Sequence, residues 1–147
     1  MLEKFLVKDT VDVNVNCDNW EEAIRAGGRL LIEKGYIKPI YVDEIINNFK
    51  KLGTYMVIKP GIVFAHSRPE DGVNETSLSL ITVKKPIYFG DKLNDPVKLI
   101  ITLATVDTNS HINMLEALTK LLRNYTKIYE ITKASTKSEV LNIIWDL

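Results

Sequence analysis

The two histidines of this chain, His66 and His111, are its most informative candidates for chemistry. His66 follows the apolar stretch Ile62–Ala65 and precedes a polar run at residues 67–72. His111 follows a second polar run, at residues 106–110, where a helical pattern begins. Because imidazole has an unperturbed pKa near neutrality, a histidine can act at cellular pH as an uncharged nucleophile or as a proton carrier.

The residues after His66 contain the parts that a phosphate-accepting histidine needs. Such a ring must be neutral, with one nitrogen free to attack and the proton of the other held by an acceptor. Glu70 or Asp71 could hold that proton, Ser67 could donate a hydroxyl hydrogen bond, and Arg68 offers a planar cation that matches phosphate oxygens. The same residues fit an ordinary surface turn equally well, with His66 and Arg68 facing solvent.

The surroundings of His111 support the same chemistry. Asn109 or Ser110 is the predicted N-cap of the following helix, which places His111 in its first turn. Backbone N–H groups in a first turn can receive a phosphate. Asp107 could act as an acceptor or be a plain loop residue, and His111 itself could simply face solvent.

Composition limits the classes of function. The 147 residues are expected to form a single domain, 1–147, and the 19 basic and 19 acidic side chains cancel, so no nucleic-acid partner is expected. One cysteine cannot form an internal disulfide, which fits a reducing compartment. The N-terminus has no long apolar core, and the run at residues 99–104 is too short to cross a bilayer. We therefore expect a cytoplasmic protein.

The elements that must position these residues follow from periodicity. Alternation at Val11–Val15 predicts a strand, and Asp18 or Asn19 caps the helix that follows it. Pro39 and Gly53 bound a second helix. The apolar run Val97–Ala104 predicts a central strand that is buried on both faces. The predicted order is one strand, two helices, three strands and three helices, with helices covering both faces of the sheet.

Three segments together resemble a known family. Residues 61–66 resemble the active-site motif of the enzyme IIA component of the sugar phosphotransferase system, mannitol/fructose type. Residues 95–107, followed by His111, resemble its second block, and residues 138–144 resemble its usual ending. Residues 66–73 and 107–111 look closest to the ascorbate-type branch, with the galactitol type as the nearest rival. The resemblance implies a three-layer α/β/α sandwich with a mixed sheet.

The resemblance also implies a reaction. His66 would take a phosphoryl group from the phosphocarrier protein HPr and pass it to a cysteine of a IIB component, which acts with the membrane IIC component in sugar uptake. The second histidine of the family, here His111, supports the first without being phosphorylated, and Arg68 would steady the phosphoryl group. No cofactor or metal is expected, and a homodimer is possible.

The chain departs from the family pattern at the residues that flank His66. The family usually has proline before this histidine and often glycine after it, where this chain has Ala65 and Ser67. An arginine that helps the site in the mannitol type has no assignable counterpart in Lys50 or Lys51.

Four other interpretations remain open. A nitrogen-type regulatory domain would use the same phosphorylation of His66 as a signal. A metal-dependent hydrolase could use both histidines, although catalytic zinc sites usually have short local ligand spacing. Cys17 could be a IIB-type phosphocysteine, although the acidic residues 18–22 would repel phosphate. A binding module without chemistry is the fourth.

Overall fold

The computed structural model describes residues 1–146, which contain a five-stranded sheet and six helices. The strands are β1 (Val11–Val15), β2 (Val57–Lys59), β3 (Ile62–Ala65), β4 (Ser77–Ile87) and β5 (Val97–Ala104). The helices are α1 (Leu2–Phe5), α2 (Trp20–Glu33), α3 (Pro39–Leu52), α4 (Thr108–Arg123), α5 (Tyr125–Lys133) and α6 (Lys137–Trp145). Short 3-10 turns cover Lys8–Thr10 and Pro69–Asp71.

The sheet is mixed, with strand order β1-β4-β5-β3-β2. β5 lies in the centre, antiparallel to β4 and parallel to β3. β1 pairs parallel with β4, and β2 pairs antiparallel with β3 at the opposite edge. Apart from the half-buried Lys98, every residue of β5 is buried, which confirms the central strand predicted from its unbroken apolar run.

Helices cover both faces of the sheet. α2 and α3 pack on one face, where they meet strand residues such as Val63 and Ala65. α1, α4, α5 and α6 pack on the other face, against residues such as Ile62 and Phe64. Successive residues of β3 therefore enter opposite cores, and the strand is buried along its whole length. The predicted three-layer α/β/α sandwich is confirmed.

The element order differs from the prediction in two places. Four strands, and not three, lie between α3 and α4, because the chain reverses at Gly61 (φ 79°) and makes β2 and β3 an antiparallel pair. The N-terminal helix α1 has only four residues, which is too short for an apolar period to reveal. β4 also continues through Pro86 to Ile87.

Candidate active site

Two neighbouring strands bring the histidines together. β3 and β5 are parallel and paired from Ile62↔Leu99 to Ala65↔Thr102, so they end at the same edge of the sheet. His66 is the first residue after β3, and the chain leaving β5 leads directly into α4, which carries His111. The two ring centroids lie 6.4 Å apart. Both rings are half-buried and line the same cleft, so the predicted pairing of these residues is present in the fold.

The environment of His66 fixes its tautomer. Nδ1 lies 2.9 Å from the carbonyl oxygen of Phe64, and because a carbonyl only accepts, Nδ1 carries the proton. Nε2 of the neutral ring therefore keeps a free lone pair. The ring packs edge-on against Tyr55, with centroids 5.9 Å apart, and lies 5.4 Å from the ring of Phe64. The sequence offered Glu70 or Asp71 as possible acceptors for the ring proton, but the main chain of β3 accepts it instead.

Burial keeps this ring neutral. Loss of solvent lowers the pKa of His66 from its ordinary value of 6.5, and the nearby His111 lowers it further, against the opposing effect of the Phe64 hydrogen bond. The uncharged form that a nucleophile requires is therefore favoured at neutral pH. A half-buried, neutral imidazole with one nitrogen free meets the chemical conditions for accepting a phosphoryl group.

His111 is the fourth residue of α4 and lies in its first turn, as predicted. The cap was predicted wrongly, however. The N-cap is Asp107, whose carboxylate accepts the N–H of Ser110 at 2.7 Å, whereas Asn109 and Ser110 lie within the helix. Backbone and side-chain hydrogen bonds to Ser110 lower the pKa of Asp107. With Thr108, three residues before it, His111 forms the wall of the cleft contributed by α4.

A polar cluster holds the chain immediately after His66. The Ser67 hydroxyl donates to Asp71 at 2.5 Å and accepts from the side-chain amide of Asn48 at 3.1 Å. Asp71 also accepts the N–H of Arg68 at 3.2 Å, and the Ser67 hydrogen bond is the largest cause of its lowered pKa. The Ser67 hydroxyl is thus committed to Asp71 and does not point a proton into the cleft as expected.

Arg68 lies on the wall of the cleft, and most of its side chain faces solvent. Its side chain is 74% exposed, and Nε lies 3.5 Å from Glu70 and 3.6 Å from Asp71. Ion pairs this exposed contribute little to stability, so little free energy opposes a swing of the guanidinium toward an anion in the cleft.

The cleft itself has a volume of about 550 Å³ and combines polar and apolar walls. The sequence pointed to five of the residues that line it: His66, Ser67, Arg68, Asp107 and His111. It did not point to the other six, which are Asn48, Leu52, Tyr55, Pro69, Thr105 and Thr108. Neither Lys50 nor Lys51 lines it, and Lys50 instead pairs with Glu21 at 3.2 Å on the surface. No local pattern in the sequence marks Asn48, which reaches the site only because α3 ends beside it.

The structure also bears on the other interpretations. Burial raises the pKa of the Cys17 thiol, and the charges of Glu22 and Asp18 raise it further, which disfavours the thiolate that a phosphocysteine requires. Within residues 1–146, no three His, Cys, Asp or Glu side chains are grouped so that they could hold a metal ion. In the same range, no helix is both long and apolar enough to cross a membrane.

Known proteins share this fold and up to about a third of the aligned sequence. Residues 4–146 match the family described as "Phosphoenolpyruvate-dependent sugar phosphotransferase system, EIIA 2". The ascorbate-specific PTS system EIIA component of Salmonella typhi is 34% identical over 137 residues, which are 92% of this chain and 89% of that protein. The mannitol-specific cryptic phosphotransferase enzyme IIA CmtB from Escherichia coli superposes with a TM-score of 0.91 and 30% identity, over 99% of both chains.

One further solved structure shares the fold at lower identity. It is the Escherichia coli complex of mannitol enzyme IIA with phosphorylated mannitol enzyme IIB. The match covers 97% of this chain and 98% of that one, with a TM-score of 0.83 and 24% identity.

Proposed function

The chain belongs to the EIIA type 2 family of the phosphoenolpyruvate-dependent sugar phosphotransferase system, and we propose that it carries phosphate on His66. His66 takes a phosphoryl group from HPr and passes it to a cysteine of a IIB component. The family and the likeness to its ascorbate-type branch, both predicted from the sequence, are confirmed by the family match and by the names of the curated relatives.

The observation that carries this proposal is the pairing of the two histidines around a free nitrogen. Nδ1 of His66 is held by Phe64, so the lone pair of Nε2 attacks phosphorus. A bond from Nε2 to phosphorus forms, and the bond from phosphorus to the donor atom breaks, with its electron pair staying on the donor. In the second transfer a thiolate of IIB attacks the same phosphorus, and Nε2 recovers its electron pair.

The charge of the phosphoryl group is met by groups around the cleft. Transfer of this group depends mostly on positioning and electrostatic stabilisation. His111 faces His66 across 6.4 Å and donates to a phosphoryl oxygen, while Arg68 swings in from the rim. The N–H groups of Thr108 and Asn109 at the start of α4 add positive potential on the same side, which offsets the charge of the Asp107 carboxylate that caps the helix. His111 supports the transfer and is not itself phosphorylated.

Partners dock on apolar side chains that surround the cleft. Leu52 and Tyr55 line it and are exposed, and the exposed Val106 and Ile112 adjoin the lining residues Asp107 and His111. Such a patch, ringed by polar groups, suits a brief encounter between proteins. The net charge is zero, so any electrostatic steering of HPr or IIB comes from local patches.

In this proposal the protein works in the cytoplasm as a single EIIA domain that serves ascorbate-type sugar uptake through IIB and the membrane IIC component. The sugar assignment rests on the names of the curated relatives. The regulatory, nitrogen-type alternative uses the same phosphohistidine. Uptake of labelled ascorbate by cells that lack the gene, with and without complementation, separates transport from signalling.

The phosphocarrier proposal is tested by incubating the protein with phosphoenolpyruvate, enzyme I and HPr, followed by mass spectrometry under non-acidic conditions. Wild type takes one phosphoryl group, His66→Ala takes none, and phosphorus NMR places the label on Nε2. His111→Ala takes the label but exchanges it more slowly, because the attacking nitrogen is intact and its support is lost. Label on His66→Ala at the wild-type level would end the assignment, and unchanged exchange in His111→Ala would show that His111 is a bystander.

A further inference from the structure

Tyr41, in the first turns of α3, bridges the two chain segments that carry the histidines. Its side chain is fully buried. The phenolic oxygen accepts the backbone N–H of Ser67 at 2.9 Å. The hydroxyl lies 2.7 Å from the carbonyl oxygen of Leu103 and 3.1 Å from that of Ser67. Because a phenol has one proton, the shorter contact identifies Leu103 as the main acceptor.

The Tyr41 hydrogen bonds lie just beyond the last residue pair of β3 and β5. Pairing between β3 and β5 stops at Ala65↔Thr102. Ser67 is the second residue after the end of β3, and Leu103 is the next residue of β5. The Tyr41 hydroxyl therefore joins the two strands where their own ladder has ended. It ties the residue after His66 to the end of the strand that leads to His111. Beyond this point the two chain segments diverge and the cleft opens between them. The hydrogen bonds of the Tyr41 hydroxyl fix the distance between the segments where the divergence begins.

The same helix also fixes the rest of the loop. The N–H of Lys38 donates to the carbonyl oxygen of Gly72 at 2.9 Å. Gly72 lies so close to α3 that an added Cβ would come within 3.3 Å of the Tyr41 backbone nitrogen. Asn48 holds the Ser67 side chain. These contacts restrain only the His66 segment, whereas the Tyr41 hydroxyl restrains both segments at once.

The bridge does not change over the working pH range. Burial raises the pKa of Tyr41 to about 12, so the hydroxyl keeps its proton and always serves as donor and acceptor together. Its loss would leave the buried Leu103 carbonyl and the half-buried Ser67 N–H unpaired, and such groups are costly where water is excluded. The chain is then expected to shift so that these groups reach water or new partners.

We propose that Tyr41 is a positioning residue for phosphoryl transfer, because its hydroxyl sets the separation of the His66 and His111 segments. This inference rests on the proposed function. Tyr41 is fully buried and does not line the cleft, so removal of its hydroxyl should disturb the transfer step and leave docking unchanged.

The test replaces Tyr41 by phenylalanine, which keeps the ring and removes only the hydroxyl. We expect kcat for uptake from phosphorylated HPr to fall about 10- to 100-fold, since small displacements of reacting groups have effects of this size. KM should stay within about twofold, because the exposed docking residues are untouched. Exchange of the Ser67 amide hydrogen should speed up by at least about tenfold, because its acceptor is gone.

The matched control is Ser79→Ala. Ser79 is also fully buried, and its hydroxyl donates to the carbonyl oxygen of Gly27 at 2.8 Å, between β4 and α2. This variant loses a comparable side-chain-to-backbone hydrogen bond without touching either histidine segment, so kcat should be unchanged. A kcat for Tyr41→Phe within about twofold of wild type, or an equal fall in Ser79→Ala, would overturn the inference.

Two measurements keep the inference separate from the phosphocarrier proposal. If wild type takes no label on His66, the proposed function fails. NMR of Tyr41→Phe, which follows amide exchange at Ser67 and the position of the His66 ring, still tests whether the Tyr41 hydroxyl holds the two segments together. If Tyr41→Phe does not fold, exchange in wild type decides. A Ser67 amide protected like those of β3 supports the bridge, and one that exchanges like an open loop refutes it.

Discussion

Replacing Leu52 by alanine should weaken partner docking without affecting the chemistry. Leu52 ends α3, lines the cleft and is 65% exposed. Burying a whole leucine side chain is worth about 1.5–3 kcal/mol, so the exposed two thirds correspond to about 1–2 kcal/mol when a partner covers them. Because about 1.4 kcal/mol is tenfold in affinity, KM for phosphorylated HPr should rise about five- to thirtyfold.

Steady-state transfer from phosphorylated HPr is the assay, with KM and kcat determined separately. The aliphatic side chain carries no proton or charge to offer the phosphoryl group, so kcat should stay near the wild-type value. The melting temperature should also be unchanged, because the side chain is already exposed in the free protein. Leu93→Ala is the control, since Leu93 is 89% exposed but does not line the cleft. An unchanged KM for Leu52→Ala, or an equal rise for Leu93→Ala, would refute docking at this rim.

Three further outcomes are expected. Because the pKa of His66 is lowered from 6.5, the rate of label uptake should stay level as pH falls through 6.5 and drop only below the depressed value. The free energy of unfolding should decline earlier, as pH falls from about 6.5 to the depressed pKa, since only the unfolded chain binds the proton in that interval. A midpoint at or above 6.5 in an NMR titration of His66 would contradict this. Asp71→Ala should lower the free energy of unfolding by about 1–3 kcal/mol, by leaving the Ser67 hydroxyl and the Arg68 amide unpaired. That difference in urea denaturation should shrink as pH falls through the depressed pKa of Asp71, and a difference that persists in acid would count against the cluster. Thr136→Ala should cost about 1 kcal/mol by removing the N-cap of α6, whereas the exposed Ser138→Ala should cost little, and equal losses would exclude a capping effect.

The sequence carried enough information for most elements because their signals are local. Pro39 and Gly53 bound α3 as predicted, Asn19 caps α2, and the unbroken apolar run of β5 marks the centre of the sheet. Each of these signals depends on backbone geometry or burial within a few residues. The one-turn helix α1 and the short strand β2 are too brief for any such period, and both were missed.

The site could be predicted only in part, because its geometry is not local. The residue types of His66 and Arg68 suggested phosphate chemistry, but the partner of Nδ1 is a main-chain carbonyl of Phe64, which every residue possesses. In the sequence, Tyr41 is spaced like any other core residue of α3. Only the structure shows that its hydroxyl bonds to the Ser67 and Leu103 backbone where β3 and β5 separate. The adjacency of those two strands had to come from the resemblance to a family or from the structure itself.

The adjacency of β3 and β5 also means that no short fragment of the chain contains the site, because the residues that line the cleft run from position 48 to position 111. β4 lies between them in sequence but on the far side of β5 in space, so the chain must pass through β4 and return as β5 beside β3 before the rings can meet. Under the phosphocarrier proposal, molecules in which β3 and β5 have separated no longer hold the two rings together and should take up no phosphate. A brief pulse of phosphorylated HPr during refolding, after the denaturant has been diluted, should then report the population of molecules whose sheet is complete, without an attached dye or an engineered probe.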